Sequence, residues 1–416
     1  MHCIPAFRRR AALRSVLLQL GCVLTTTALH GQVVATSIDT VAPIAQYDGE
    51  LLSCLLPRYQ YGYVFPTNRF LRGSNSEQEP INGFGSFSLR LGHQATGEKP
   101  WQLNYGYPVF GAGVSVTQFS EPDELGTPIA VFGFITAPFK RWPRMSLDYD
   151  LALGLAFNWK PFNPVDNPNN VSIGTKQSVF IDVGAQVSFP VAGKLSASAG
   201  FSVSHWSNGA LRKPNLGINT IAPHVALRYD LRAAPPAFPI VRQRAPFTPT
   251  TVLDIAVFAG SQNVVYDTLR IDLVEKYEGV DFLAIGLHAC VARQITHKSK
   301  VGIGFATDYD GAHDAQVSVE NGEIEVVDSP FADKLQLSVF PSYELVLNKL
   351  SLVVQPSFYV ARKKVSQQTP WYYQRVGIKV HMYRNLFLGV NLRAYQFHVS
   401  EYLEWNIGYR ITRKAL

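Results

Sequence analysis

The chain of 416 residues is 47% hydrophobic and 17% charged, a balance that excludes disorder over most of its length. Its 25 Phe, 19 Tyr and 31 Gly against three Met, with no long helical periodicity, favour β structure. The formal charge of +7 is scattered over strand faces and turns without a continuous basic patch, which argues against a nucleic-acid partner.

Arg8, Arg9, Arg10 and Arg14 precede the apolar run Val16-Leu17-Leu18-Gln19-Leu20 and a region of small residues. That is the layout of a secretory signal peptide over 1–31, with cleavage near Gly31 and Gln32. Cys22 after Leu20-Gly21 also fits a lipoprotein site, but Gln19 interrupts the apolar run, so the ordinary signal is preferred. Cys3 and Cys22 would leave with it. Cys54 and Cys290 remain, carry no metal spacing and read as structural. No apolar run approaches the roughly 20 residues of a membrane helix. If the chain spans a membrane, it does so as a closed barrel.

Residues 32–82 form an N-terminal lead-in, in which 59–65 reads as a short strand or as part of the approach. From residue 83 the alternation becomes regular. Strand patterns occur at about 84–92, 101–108, 112–119, 127–137, 146–158, 178–190, 194–207 and 217–231, close to the length that crosses a bilayer when tilted. A Pro-rich linker, 232–251, interrupts any ladder. A second block, 252–416, has patterns at about 252–261, 282–296, 300–308, 333–346, 349–362, 374–383, 386–397 and 402–412. The expected fold is all-β: an antiparallel transmembrane barrel of about 14–16 strands. One barrel is slightly favoured over two eight-stranded ones, because a single closure removes every edge. A soluble β-sandwich alternates in the same way, and the signal peptide and long two-faced strands weigh against it.

Chemistry concentrates at the turn between the seventh and eighth patterns. Leu195, Ala197, Ala199, Phe201 and Val203 occupy the apolar face, which His205 and Ser207 continue; Asn219 falls on the apolar side of the next strand with Ile221, Val225 and Leu227. In a barrel that face meets lipid. A His two residues from a Ser shares its face and can take the hydroxyl proton, and a polar side chain on the neighbouring strand can orient the ring. Turns at 138–144 and 191–194 are short, whereas 161–176 and 208–216 are long, which places the trio at the outer rim of an outer-membrane barrel. His224 reads as lumenal. Asp308, Asp310 and Asp314 with Glu320 and Glu323 read as a solvated acidic loop, without full calcium-loop spacing.

His205-Trp206-Ser207-Asn208-Gly209 followed by Pro214-Asn215-Leu216-Gly217 resembles the motif of the outer-membrane lipid A 3-O-deacylases, the PagL or acyloxyacyl hydrolase-like family, over residues 83–231. The resemblance implies Ser207 as nucleophile, His205 as its base, and an acidic orienting residue where this chain has Asn219. It further implies Asn215, and the neighbourhood of Asn208, as oxyanion donors. Arg212 and Lys213 are candidates for lipid phosphate. The Ser/His/Asn set secondarily resembles outer-membrane phospholipase A, which would bring calcium by analogy; the deacylase scheme requires no cofactor. The partner expected is an outer-membrane lipid, lipid A or phospholipid, with the oligomeric state open. A non-catalytic porin or transport barrel is the rival reading, given weight by the second block.

Overall fold

The computed structural model describes residues 53–232, 246–265, 277–320, 323–364, 370–395 and 399–414. The expected signal peptide and most of the Pro-rich linker lie outside the described residues. The strands β1 (Cys54–Val64), β2 (Gly83–Gln94), β3 (Val109–Phe119), β4 (Gly126–Trp142), β5 (Met145–Trp159), β6 (Ser178–Ala192), β7 (Leu195–Ser207) and β8 (Ile218–Asp230) form one closed antiparallel barrel. A second closed barrel comprises β9 (Thr250–Val265), β10 (Gly279–Gln294), β11 (Ser299–Asp310), β14 (Leu335–Leu347), β15 (Leu350–Ala361), β16 (Tyr372–His381), β17 (Leu386–Tyr395) and β18 (Val399–Lys414). Between β11 and β14, β12 (Gln316–Glu320) and β13 (Glu323–Val327) pair as a separate hairpin.

The all-β antiparallel barrel is as expected, but the slight preference for a single closure is corrected. β8 returns to β1, with Val225 opposite Tyr59, and β18 returns to β9, with Tyr409 opposite Ile255. Two closures abolish edges as completely as one, so the edge argument could not choose between them.

Two strand assignments in the first block also change. β1 lies within the expected lead-in, where the strand reading of 59–65 holds and extends back to Cys54: Arg58 and Gln60 point inward and are buried, while Tyr59, Tyr61 and Tyr63 stand outside. The 101–108 alternation is instead a short helix, Pro100–Asn104, followed by Gly106 and Tyr107 at positive φ. Pro at the first helical position favours that start. One strand gained and one lost leave β7 seventh, so the end at which it finishes is unchanged.

An eight-stranded closure leaves an interior just wide enough for side chains, and here those side chains are charged. In the first, Arg58 pairs with Asp150 at 3.0 Å and Asp182 at 3.2 Å, and Arg90 with Asp150 at 2.8 Å. His224 joins them through Arg58 and Gln186, which is the lumenal place expected of it. In the second, Arg375 meets Glu404 at 2.7 Å, Lys379 meets Asp254 at 2.7 Å, and Arg410 bridges Asp254 and Glu344. Asp308 and Asp310, read from sequence as part of a solvated loop, are buried on β11, where Asp308 pairs with Arg393. The outward faces are apolar, with Phe201, Val203, Val225, Leu283, Ile303 and Ile407 among the exposed residues.

Both barrels belong to one compact unit and touch at both ends. At the end of the short turns, the Tyr105 hydroxyl donates to the Val346 carbonyl at 2.7 Å and Lys298 lies over the Tyr105 ring. At the end where β7 finishes, the Lys213 ammonium donates to the Asn263 carbonyl at 3.0 Å.

Candidate active site at the end of strands β7 and β8

The register of β7 against β8 places His205 directly opposite Asn219. Outward Phe201 and Val203 precede His205, while inward Ser202, Ser204 and Trp206 are buried. The parity that puts the imidazole on the outer surface is therefore that of the lipid-facing residues beside it. His205 Nδ1 lies 2.7 Å from Asn219 Oδ1. An amide oxygen only accepts, so Nδ1 carries the proton and Nε2 keeps its lone pair free to act as a base.

Beneath the pair, the inward Trp206 fixes the end of β7. Its indole packs against Phe180 at 5.5 Å, Phe119 at 5.9 Å, and Phe84 and Trp159 at 6.3 Å between ring centroids. Trp159 in turn donates to Ser178. This aromatic plug closes the barrel above the ionic interior and holds its two outward neighbours, His205 and Ser207, on a rigid edge.

Ser207 is 5% exposed, more enclosed than its outward parity alone would give. Beside it the 208–217 loop is tied to the β5–β6 connection, whose Val171 and Ser172 carbonyls accept from Leu216 and Gly217 at 3.1 and 3.0 Å. Gly217 sits at φ +69°, and a Cβ there would meet His205 Cε1 at 3.1 Å, the Trp206 carbonyl at 3.1 Å and Ser207 Cβ at 3.5 Å. His205 and Ser207 thus converge on the same bare stretch of backbone. Their side chains are not joined by a hydrogen bond among the described residues. Such bonds are often long before substrate binds.

The loop after Ser207 orders two further amides. The Asn208 backbone N–H donates to Asn215 Oδ1 at 2.9 Å, and Asn208 Nδ2 donates to the Arg212 carbonyl at 2.8 Å. Asn215 Nδ2 is buried without a partner, as is Asn208 Oδ1. A buried donor with nothing to donate to costs roughly 1–3 kcal/mol. Arg212 is exposed. Lys213 instead reaches the second barrel, and burial pushes its ammonium below the usual lysine range.

The structure therefore brings together His205, Asn219, Ser207, Asn208 and Asn215, and sends Arg212 to the open surface and Lys213 to the second barrel. The sequence analysis did not identify Val171, Ser172 or Asn263 as supports. They contribute backbone carbonyls, which leave no side-chain signature.

Two family models divide the chain. One described as "Lipid A 3-O-deacylase (PagL)" matches residues 85–228, and one described as "Acyloxyacyl hydrolase, C-terminal domain" matches residues 251–414. Comparison with curated proteins gave no match. Among solved structures, the NanC porin is 6% identical at a TM-score of 0.15, covering 86% of this chain and 100% of that one. The siderophore receptor PirA from Pseudomonas aeruginosa is 8% identical at a TM-score of 0.24, covering 88% of this chain and 81% of that one. The translocator domain of the autotransporter NalP from Neisseria meningitidis is 8% identical at 0.19, covering 86% and 88%. Scores this low carry no argument about fold or function.

Proposed function

Because the chain belongs to the lipid A 3-O-deacylase family, its two family matches together spanning most of the sequence, we propose that the β7–β8 end is a serine esterase site for the acyl ester of lipid A. Ser207 Oγ attacks the ester carbonyl, and His205 Nε2 takes its proton and delivers it to the departing sugar alkoxide. Water, deprotonated by the same imidazole, then releases the fatty acid and restores Ser207. Asn219 holds the ring in the required tautomer through the 2.7 Å contact, and Asn215 Nδ2 faces the developing oxyanion. The observation that carries this reading is the outward His205–Asn219 pair sharing Gly217 with Ser207.

The connections 65–82, 120–125, 160–177 and 208–217 lie at the site's end, and the turns 143–144 and 193–194 at the other, together with the longer connection 95–108. Outer-membrane barrels keep short turns on the periplasmic side, so the reading places the site in the outer leaflet, where lipid A resides. Exposed Arg212 stands ready for a substrate phosphate. A porin role is disfavoured by the charged side chains that fill both interiors.

One observation favours a second reading. The orienting residue is the amide Asn219, as in outer-membrane phospholipase A, and no carboxylate pairs with His205 among the described residues. Mass spectrometry of lipid A and of phospholipids from cells expressing wild type or Ser207→Ala separates the two. Loss of one ester-linked chain from lipid A with wild type, absent with Ser207→Ala, is the expected result. Accumulating lysophospholipid with intact lipid A would transfer the site to the phospholipase, and unchanged profiles of both lipids would reject the esterase.

A further inference from the structure

The site loop 208–217 is gripped from two sides. From within the first barrel it hangs on Val171 and Ser172. On its other side lies the second barrel. Leu403 is an outward residue of β18, flanked by buried Tyr402 and Glu404, yet it is only partly exposed where Trp405 and Ile407 on the same face are open. Its isobutyl group rests on Gly209: a Cβ on that glycine would come within 2.9 Å of Leu403 Cγ and Cδ2. Gly209 and Ala210 sit at φ +65° and +64°, the consecutive left-handed residues that fold the loop back toward Asn215. Four residues on, Lys213 is tied to the Asn263 carbonyl of β9. A third contact sets Phe162, from the β5–β6 connection, edge-on to Tyr277 at 5.1 Å.

We propose that the second barrel is a working wall of the active site, with Leu403 a positioning residue that holds the Gly209–Ala210 turn and, through it, the Asn208–Asn215 amide pair. This rests on the esterase reading for its catalytic consequence, though not for its geometry. The turn is left-handed at an alanine, a conformation that costs about 1–2 kcal/mol outside glycine, and a packed side chain over it resists relaxation. The turn carries the chain back so that Asn215 Oδ1 accepts from the Asn208 N–H, the bond that orients the Asn215 amide. Moving the turn moves the donor from where charge develops, which lowers kcat more than it raises KM.

The test uses the full-length protein in detergent or proteoliposomes with lipid A as substrate, reading kcat, KM and amide hydrogen exchange over 208–217. Leu403→Ala should lower kcat by about ten- to a hundredfold, the penalty of misplacing a catalytic group by an ångström or so, with KM changed less than about twofold and exchange in the loop accelerated. Leu403→Met, of similar volume, should restore kcat to within about threefold. Tyr105→Phe removes the inter-barrel hydrogen bond at the far end and should leave kcat and loop exchange unchanged. Equal loss in Tyr105→Phe and Leu403→Ala would reduce the second barrel to a general support and overturn the proposal, as would wild-type kcat and exchange in Leu403→Ala. If wild type leaves lipid A intact, the esterase reading fails by itself, and loop exchange still decides whether Leu403 holds the turn.

Discussion

The two barrels close with the same number of strands and fill their interiors with the same chemistry, buried arginines against aspartates and glutamates. They differ at one end. In the first, the ionic interior gives way to an aromatic plug around Trp206, and the strand edge above it carries His205, Ser207 and Asn219 on the outer face. In the second, the ion pairs continue through Arg393 and Asp308 toward the corresponding end, and its outer face presents leucine, valine and isoleucine. Closure and interior chemistry are thus the scaffold common to both. What distinguishes the first is a polar outer rim anchored by rings packed edge-on and tilted around Trp206, and the second barrel's part is to lean Leu403 and Asn263 on that rim.

The largest effect expected from breaking this comparison lies inside the second barrel. Arg375 is fully buried, and its Nε donates to Glu404, its anionic partner, at 2.7 Å; its other two guanidinium nitrogens have no hydrogen bond. Glu404→Gln strands that cation, at a cost of roughly 3–5 kcal/mol, measured as a lowered denaturant midpoint in detergent. Adding Arg375→Met should recover most of the loss, because an apolar pair in place of a buried ion pair is often neutral. Deacylation should fall in proportion to the unfolded second barrel. Full activity with that barrel unfolded would make it a passenger and dissolve the functional link between the two.

Next in size is Asn215→Asp, which isolates the rim from the scaffold. The aspartate keeps an oxygen to accept from the Asn208 N–H and exchanges the unpartnered Nδ2 donor for a second acceptor. Loss of an oxyanion donor costs about 2.7–4 kcal/mol, so kcat should drop by a factor of 10² to 10³ with the melting temperature nearly unchanged. An unaltered kcat would return Asn215 to simple turn-building.

The parts legible in the sequence share a physical basis: each depends on strict alternation. The outward parity of His205 and Ser207, the opposing Asn219 and nearly every strand of the second block follow from period-two patterning. β1 was legible only as one of two readings of 59–65, because its inward residues are Arg58 and Gln60 and its outward ones tyrosines, a polarity that suits a surface lead-in as readily as a barrel stave. The 101–108 segment imitated a strand because Trp101, Leu103, Tyr105 and Tyr107 alternate by accident of a single helical turn and a kink. The number of barrels was not legible, since alternation is blind to which strand pairs with which. Leu403 lies almost two hundred residues from Gly209, and nothing local marks one outward leucine of β18 from the next; its role comes only from how the barrels dock.

The smallest effect concerns the departure from the acidic residue that the family resemblance implies. Asn219 fixes the tautomer of His205 by accepting from Nδ1, but as a neutral group it would offer no counter-charge to the imidazolium of the proposed mechanism. Asn219→Asp keeps the side-chain length and the 2.7 Å geometry while making the hydrogen bond charge-assisted, roughly twice as strong as its neutral counterpart. Against this stands the cost of ionising a carboxylate at a half-buried, lipid-facing position. The two terms oppose, and the net gain in kcat is expected to be about three- to tenfold, or at most about 1.4 kcal/mol. Asn219→Ala should lose activity instead, since nothing then orders the ring. A fall in kcat for Asn219→Asp would mean that desolvation wins at this rim and that the amide is the group the outer leaflet tolerates best.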